Sequence, residues 1–63
     1  MNKIRLARES KNMTQLELSK RIGCTQVHIS ALETGKNYPS RQIAKKIAEV
    51  LEIPVINVLY PED

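Results

Sequence analysis

The spacing of apolar residues along the chain predicts short amphipathic helices rather than strands. Leu18 and Ile22 lie four residues apart, and Ile29 and Leu32 lie three apart. Residues at these spacings share one face of a helix. Each apolar stripe spans only about two turns, and helices that short do not persist alone in water. We therefore expect the two helices to pack against each other and against the rest of the chain.

Residues that favour helix ends flank both stripes. Thr14 and Glu17 fit a capping box at the start of the first helix. Gly23 follows it, and glycine adopts the positive φ that often ends a helix at little cost. Thr25 is an N-cap candidate for the next helix. Two short helices joined by a tight glycine turn indicate a helix-turn-helix.

Three further helices are predicted outside this motif. Asn2 can cap one before it, Ser40 can cap a longer one after it, and Pro54 can stand in the first turn of a short last one. The predicted fold class is all-α, with four or five helices that include a helix-turn-helix. The single domain spans residues 1–63, with helices at about residues 2–11, 15–22, 26–33, 41–51 and 55–60.

Composition narrows the class of protein. The chain has no Trp and no Phe, so its core must be aliphatic. A lone cysteine excludes an intramolecular disulfide and a four-cysteine metal site, which fits a reducing compartment, and we expect a cytoplasmic protein. No apolar run approaches the 18 residues typical of a membrane span.

Charge is distributed unevenly along the chain. Residues 1–48 carry ten basic and three acidic side chains, whereas residues 49–63 carry four acidic side chains and no basic one. A basic body predicts a polyanionic partner such as nucleic acid. An ordinary solvated surface could have the same composition, so charge alone does not separate the two interpretations.

Metal binding and catalysis are disfavoured by the residues available. Cys24 and His28 are four residues apart, but structural zinc needs four ligands and the chain has no second Cys or His. No nucleophile and base form a recognisable set, and no glycine-rich phosphate loop is present. We predict no enzyme activity, no metal, no cofactor and no small-molecule ligand.

Residues 4–59 resemble the helix-turn-helix domain of the Xre family, which is shared with the lambdoid phage repressors and Cro. The residues that carry the resemblance are Thr14, Gln15, Leu18, Ile22, Gly23, Ile29, Leu32, Glu33, Gly35, Lys36, Pro39, Ser40, Ile47, Ala48 and Leu51. The resemblance implies a prokaryotic or phage protein with a compact five-helix, lambda-repressor-like fold. It also implies binding to double-stranded operator DNA, usually as a homodimer, with the third helix in the major groove.

Candidate DNA contacts follow from this placement. The third helix presents Gln26, Val27, Ser30 and Ala31 opposite its apolar edge, and we expect these residues to read bases. A glutamine amide can pair with adenine, and small apolar side chains can contact the thymine methyl group. The expected phosphate contacts are Gln15, Thr25, His28, Lys36, Asn37, Tyr38 and Arg41.

Two further pairs have predicted structural roles. By resemblance, Arg8 and Glu33 form an ion pair that ties the first helix to the third. The fifth helix is apolar nearly all round, with Val55, Val58 and Leu59 as its inward candidates. Ile56 and Tyr60 then remain exposed, and we expect them to form a homodimer interface.

Three functional hypotheses remain. The leading one is a sequence-specific transcriptional repressor that binds a palindromic operator as a homodimer. The second is an antitoxin that regulates its own operon, which would usually need an additional toxin-binding segment. The third is a protein-interaction module that does not bind DNA, which is disfavoured by Gln15, Gln26 and Lys36 at positions of DNA-contacting groups.

Overall fold

The computed structural model describes residues 2–62, and these residues form five helices and no strand. The helices are α1 (Lys3–Ser10), α2 (Gln15–Ile22), α3 (Gln26–Glu33), α4 (Arg41–Leu51) and α5 (Val55–Leu59). The bounds of α2, α3 and α4 match the predicted ones. α1 and α5 are shorter than predicted because Asn2, Lys11 and Tyr60 are cap residues. The all-α fold class is confirmed.

Side-chain caps and residues with positive φ mark the ends of several helices. Asn2 Oδ1 accepts from the backbone N–H of Arg5 at 3.0 Å. Residues in the left-handed region end two of the helices, with Gly23 at φ 87° after α2 and Glu52 at φ 57° after α4. Pro54 is the N-cap of α5 and does not lie within its first turn, a small correction to the prediction.

The core is aliphatic, as the composition predicts. Its buried residues are Ile4, Leu18, Ile22, Ile29, Leu32, Ala44, Ile47, Leu51 and Val58. Helix α2 packs on α3 and α4, α5 packs on α4, and α1 contacts α3, α4 and α5. Every helix contributes at least one buried side chain, so the two short helices of the motif gain the tertiary support that they need.

The inward face of α5 differs from the prediction at one residue. Val58 is buried and Leu59 is partly buried, but Val55 is 43% exposed, so its assignment to the core was wrong. Val55 is the first residue of α5, and Ile53, two residues before it, packs against the core. Ile56 and Tyr60 are 56% and 67% exposed.

The two ends of the described chain meet beside α1. The backbone N–H of Lys3 donates to the carbonyl of Pro61 at 2.8 Å, and Pro61 is buried. This contact closes the helical bundle at the N-terminal end of α1. Among residues 2–62, no helix has both the length and the apolar character needed to cross a bilayer.

Candidate nucleic-acid interface

Helices α2 and α3 are joined by a turn of three residues. Gly23 ends α2 in the left-handed conformation, and its N–H donates to the carbonyl of Ser19 at 2.8 Å. A Cβ atom at Gly23 would meet nothing within 4 Å, so the positive φ, not lack of space, favours glycine there. Thr25 then caps α3 by accepting from the N–H of His28 at 3.1 Å. Local backbone chemistry therefore sets where α3 begins.

Helix α3 has one fully buried face and one open face. Ile29 and Leu32 are buried in the core, whereas Gln26 is exposed and Val27 is 79% exposed. Ser30 and Ala31, which were also predicted to read bases, are only half-buried. The most accessible part of α3 is thus its first turn, where a polar amide and an apolar side chain stand next to each other.

The C-terminal end of α3 is held by charged and polar side chains. Arg8 Nε donates to Glu33 Oε2 at 2.6 Å, and Arg8 Nη2 donates to Glu33 Oε1 at 3.0 Å. The expected Arg8–Glu33 ion pair is therefore present, in bidentate form and largely shielded from solvent. Arg8 Nη1 also donates to the Met13 carbonyl at 2.7 Å, so one guanidinium joins α1, the α1–α2 turn and α3.

Gln15 makes a structural contact that the sequence did not predict. Its Nε2 donates to Glu33 Oε1 at 3.1 Å, which links the first residue of α2 to the last residue of α3. The two residues are 18 positions apart, so no local pattern in the sequence could reveal the bond. The side chain is still partly exposed, and the contact places it beside the C-terminal end of α3.

The loop after α3 folds back onto that helix. The backbone N–H groups of Lys36 and Asn37 donate to the carbonyl of Ala31 at 3.0 and 3.3 Å. The side chains of Lys36, Asn37 and Tyr38 are exposed, and so is Arg41 in the first turn of α4. The backbone of Lys36 and Asn37 is thus positioned by α3, while the exposed side chains of the loop are accessible to another molecule.

Apart from Arg41 in α4, the predicted phosphate-contacting residues lie at the two ends of α3. Gln15 and the loop from Lys36 to Tyr38 lie near its C-terminal end, whereas Thr25 and His28 lie at its N-terminal end. An eight-residue helix is about 12 Å long, close to the roughly 12 Å width of the major groove. His28 is half-buried, so it presents less surface than the other members of the set.

The cysteine in the turn has the character of a packed side chain. Cys24 is partly buried against the core, and burial raises the pKa of its thiol despite an opposing effect of Lys46. The thiol thus stays protonated and unreactive near neutral pH. Within the described part of the chain, no group of three or more His, Cys, Asp or Glu residues is arranged to hold a metal ion.

Comparison with known proteins places this arrangement in a family. A helix-turn-helix family model matches residues 4–56. An uncharacterized HTH-type transcriptional regulator of Methanocaldococcus jannaschii is 36% identical over 62 residues, which cover 98% of this chain and 94% of that protein. Another from Archaeoglobus fulgidus is 45% identical over 47 residues, which cover 75% of this chain and 66% of that protein.

Two solved structures share the fold. The N-terminal DNA-binding domain of SinR from Bacillus subtilis has a TM-score of 0.79 at 28% identity, covering 89% of this chain and 83% of that one. Bacillus thuringiensis PlcR, solved in complex with the peptide PapR7 and DNA, has a TM-score of 0.81 at 38% identity. That match covers 92% of this chain but only 20% of PlcR. This chain belongs to the Xre-like helix-turn-helix family of DNA-binding transcriptional regulators and is not an enzyme.

Proposed function

We propose that this chain is a sequence-specific repressor that binds a palindromic operator as a homodimer, with α3 in the major groove. The observation that carries the proposal is the open first turn of α3. There, Gln26 and Val27 project from a helix whose opposite face is buried and whose end is held by Arg8 and Gln15. A rigidly held helix with exposed side chains suits direct reading of base edges.

In this proposal the residues divide into two groups. Gln26 pairs with an adenine through its amide, and Val27 contacts a thymine methyl group, with Ser30 and Ala31 farther along the groove. The phosphates on either side are contacted by Gln15, Thr25, His28, Lys36, Asn37, Tyr38 and Arg41. The excess of basic residues in positions 1–48 favours the approach of the domain to DNA.

Repression and dimerisation are supported by separate arguments. Occupying a promoter is enough to block transcription, whereas activation needs a further productive contact with the polymerase. The exposed Ile56 and Tyr60 on one side of the domain offer an apolar surface that a second copy would cover. A symmetric dimer would place two α3 helices about 34 Å apart, one turn of DNA.

In vitro selection from random duplex DNA tests the proposal. We expect enrichment of a two-fold symmetric site and a steep fall of affinity with increasing salt, because bound phosphates release counterions. A selected site would then be placed over a reporter promoter, where the protein should lower transcription. Weak binding without sequence preference would contradict the proposal and favour a protein-interaction module.

A further inference from the structure

We propose that Asn2, besides capping α1, is a positioning residue for α3, an inference that rests on the proposed placement of α3 in the major groove. Asn2 is only 7% exposed, although it stands next to the start of the chain. Its Oδ1 accepts from the N–H of Arg5 at 3.0 Å, which caps α1. Its Nδ2 donates to the carbonyl of Leu32, in the last turn of α3, at 3.2 Å.

The second bond satisfies a carbonyl that the helix itself leaves open. The last four carbonyls of an α-helix have no partner within it, and buried ones need a donor from elsewhere. The Leu32 carbonyl also accepts from the N–H of Gly35, but at 3.4 Å that bond is long. The Asn2 amide thus supplies the shorter of these two bonds, and it comes from a residue 30 positions away in the chain.

Asn2 and Arg8 together attach α1 to the end of α3 at two points. Arg8, in the last turn of α1, holds the Glu33 carboxylate, and Asn2, at the opposite end of α1, holds the Leu32 carbonyl. The two residues are separated by about 9 Å along the axis of α1. With the Arg8 attachment alone, the angle between α1 and α3 would depend on the core packing of Ile29 and Leu32, whereas a second, separated attachment restricts that angle further.

That angle determines where the base-reading turn of α3 lies. Gln26 is six residues from Leu32, so a tilt of about 5° about the C-terminal end of α3 would move it by roughly 0.8 Å. Functional side chains need placement within about 0.5 Å of their productive geometry. Loss of the Asn2 bond should therefore weaken discrimination between bases more than it weakens contacts with phosphates.

Asparagine is suited to this double role because one short side chain carries both an acceptor and a donor. An ionised aspartate keeps the acceptor and is an equally good N-cap, but it offers the Leu32 carbonyl no hydrogen. A serine also caps well, yet its shorter side chain has one oxygen in place of two separate polar atoms. Asn2→Asp and Asn2→Ser therefore remove the link to α3 while keeping the cap of α1.

The test compares the dissociation constants of the selected operator and of the same duplex with the base pair read by Gln26 changed. For Asn2→Asp and Asn2→Ser we expect the constant for the changed duplex, divided by the constant for the operator, to fall about two- to tenfold, the effect of losing one hydrogen bond. The salt dependence should stay as in the unchanged protein. Ala48→Gly, which lowers stability through helix propensity in α4, is the control and should leave the ratio unchanged.

The outcomes separate this inference from the proposed function. If the unchanged protein selects an operator and both variants keep its full discrimination, Asn2 does not position α3. If both variants and Ala48→Gly lose discrimination equally, the effect is general loosening and the positioning role is also refuted. If the unchanged protein selects no sequence at all, the proposed function fails, and this inference fails with it.

Discussion

At the scale of single residues, Glu33 receives most of the side-chain hydrogen bonds that hold the C-terminal end of α3. Its carboxylate accepts two hydrogen bonds from Arg8 and one from Gln15. The hydrogen bond to Glu33 is the main cause that raises the pKa of the Arg8 guanidinium, which therefore stays charged. A shielded ion pair of this kind adds geometric definition more reliably than stability, but breaking it leaves a charge without its partner.

Replacement of Arg8 should loosen the fold more than it affects DNA contacts. We expect Arg8→Ala to lower the free energy of unfolding by about 3 kcal/mol or more, because Glu33 would keep a buried, unpaired charge. A domain of this size has only roughly 3–9 kcal/mol in total, so the variant should be partly unfolded near 37 °C. Thermal unfolding followed by circular dichroism measures this effect.

Arg8→Lys is the matched variant, since it keeps the charge but not the bidentate geometry. We expect it to lie between Arg8→Ala and the unchanged protein in stability. Full stability of Arg8→Ala, accompanied by a selective loss of DNA affinity, would contradict the structural role assigned to the pair.

Gln26 is the residue on which recognition of the operator's base sequence should depend most. We expect Gln26→Ala to weaken binding to the selected operator by about 1–3 kcal/mol, because a bidentate contact with adenine is lost. Binding to a duplex with that base pair changed should be much less affected. Val27→Ala is the neighbouring comparison and should cost less, since it removes only apolar contact. Equal losses on both duplexes would show that Gln26 does not read a base.

At the scale of elements, α2 depends on a complete capping box. The N–H of Glu17 donates to Thr14 Oγ1 at 3.0 Å, and the N–H of Thr14 donates to Glu17 Oε1 at 2.8 Å. The backbone N–H of Thr14, followed by its hydroxyl, lowers the pKa of Glu17. Because α2 carries Gln15 and precedes the turn, this box also bears on the placement of α3.

The lowered pKa of Glu17 makes the stability of the domain depend on pH. Glu17 favours the folded state while it is ionised, so its contribution is present above the pKa of an ordinary glutamate, about 4.3, and is lost as the pH falls through the lowered value. We expect Glu17→Gln to reduce the loss of stability between about pH 5 and pH 3. Urea unfolding at a series of pH values measures this change.

Two features make that experiment specific. Hydrogen bonding to Lys11 lowers the pKa of Glu52 in the same direction, so some acid dependence should remain in Glu17→Gln. Thr14→Ser keeps both the hydroxyl and the backbone donor, and it should retain the full acid dependence. An identical acid profile for Glu17→Gln and the unchanged protein would show that ionisation of Glu17 does not contribute to stability.

At the scale of the whole molecule, the exposed side of α5 is the surface on which assembly should depend. We expect Ile56→Glu to prevent dimerisation while leaving the fold intact, because Ile56 is 56% exposed and the buried Val58 is unchanged. Sedimentation with and without operator DNA measures the mass. The variant should bind a single half-site, with lower affinity for the palindrome. Val55→Glu, at a less exposed position on the same helix, tests how far the interface extends.

A monomeric mass for the unchanged protein at every concentration, both free and on DNA, would contradict the dimer. Retention of the dimer by Ile56→Glu would instead place the interface elsewhere on the molecule. Either result would leave the assignment of α3 as the DNA-reading helix intact, because that assignment rests on Gln26 and Val27.

The sequence by itself determined the elements of this protein. Apolar spacing, the Thr14 and Ser40 caps and the Gly23 turn are local features, so the bounds of α2, α3 and α4 could be predicted from residues no more than a few positions apart. The aliphatic core followed from composition. The Arg8–Glu33 pair was expected from family resemblance, since spacing alone would not have shown it.

Tertiary structure decided what connects the elements. Three hydrogen bonds join residues that are far apart in the chain. They link Gln15 to Glu33, Asn2 to Leu32 and Lys3 to Pro61. Val55 was misassigned for a different reason, because a helix only five residues long has too little periodicity to define its inward face. Periodicity reports which residues share a face, whereas only the packed fold decides which neighbour that face meets.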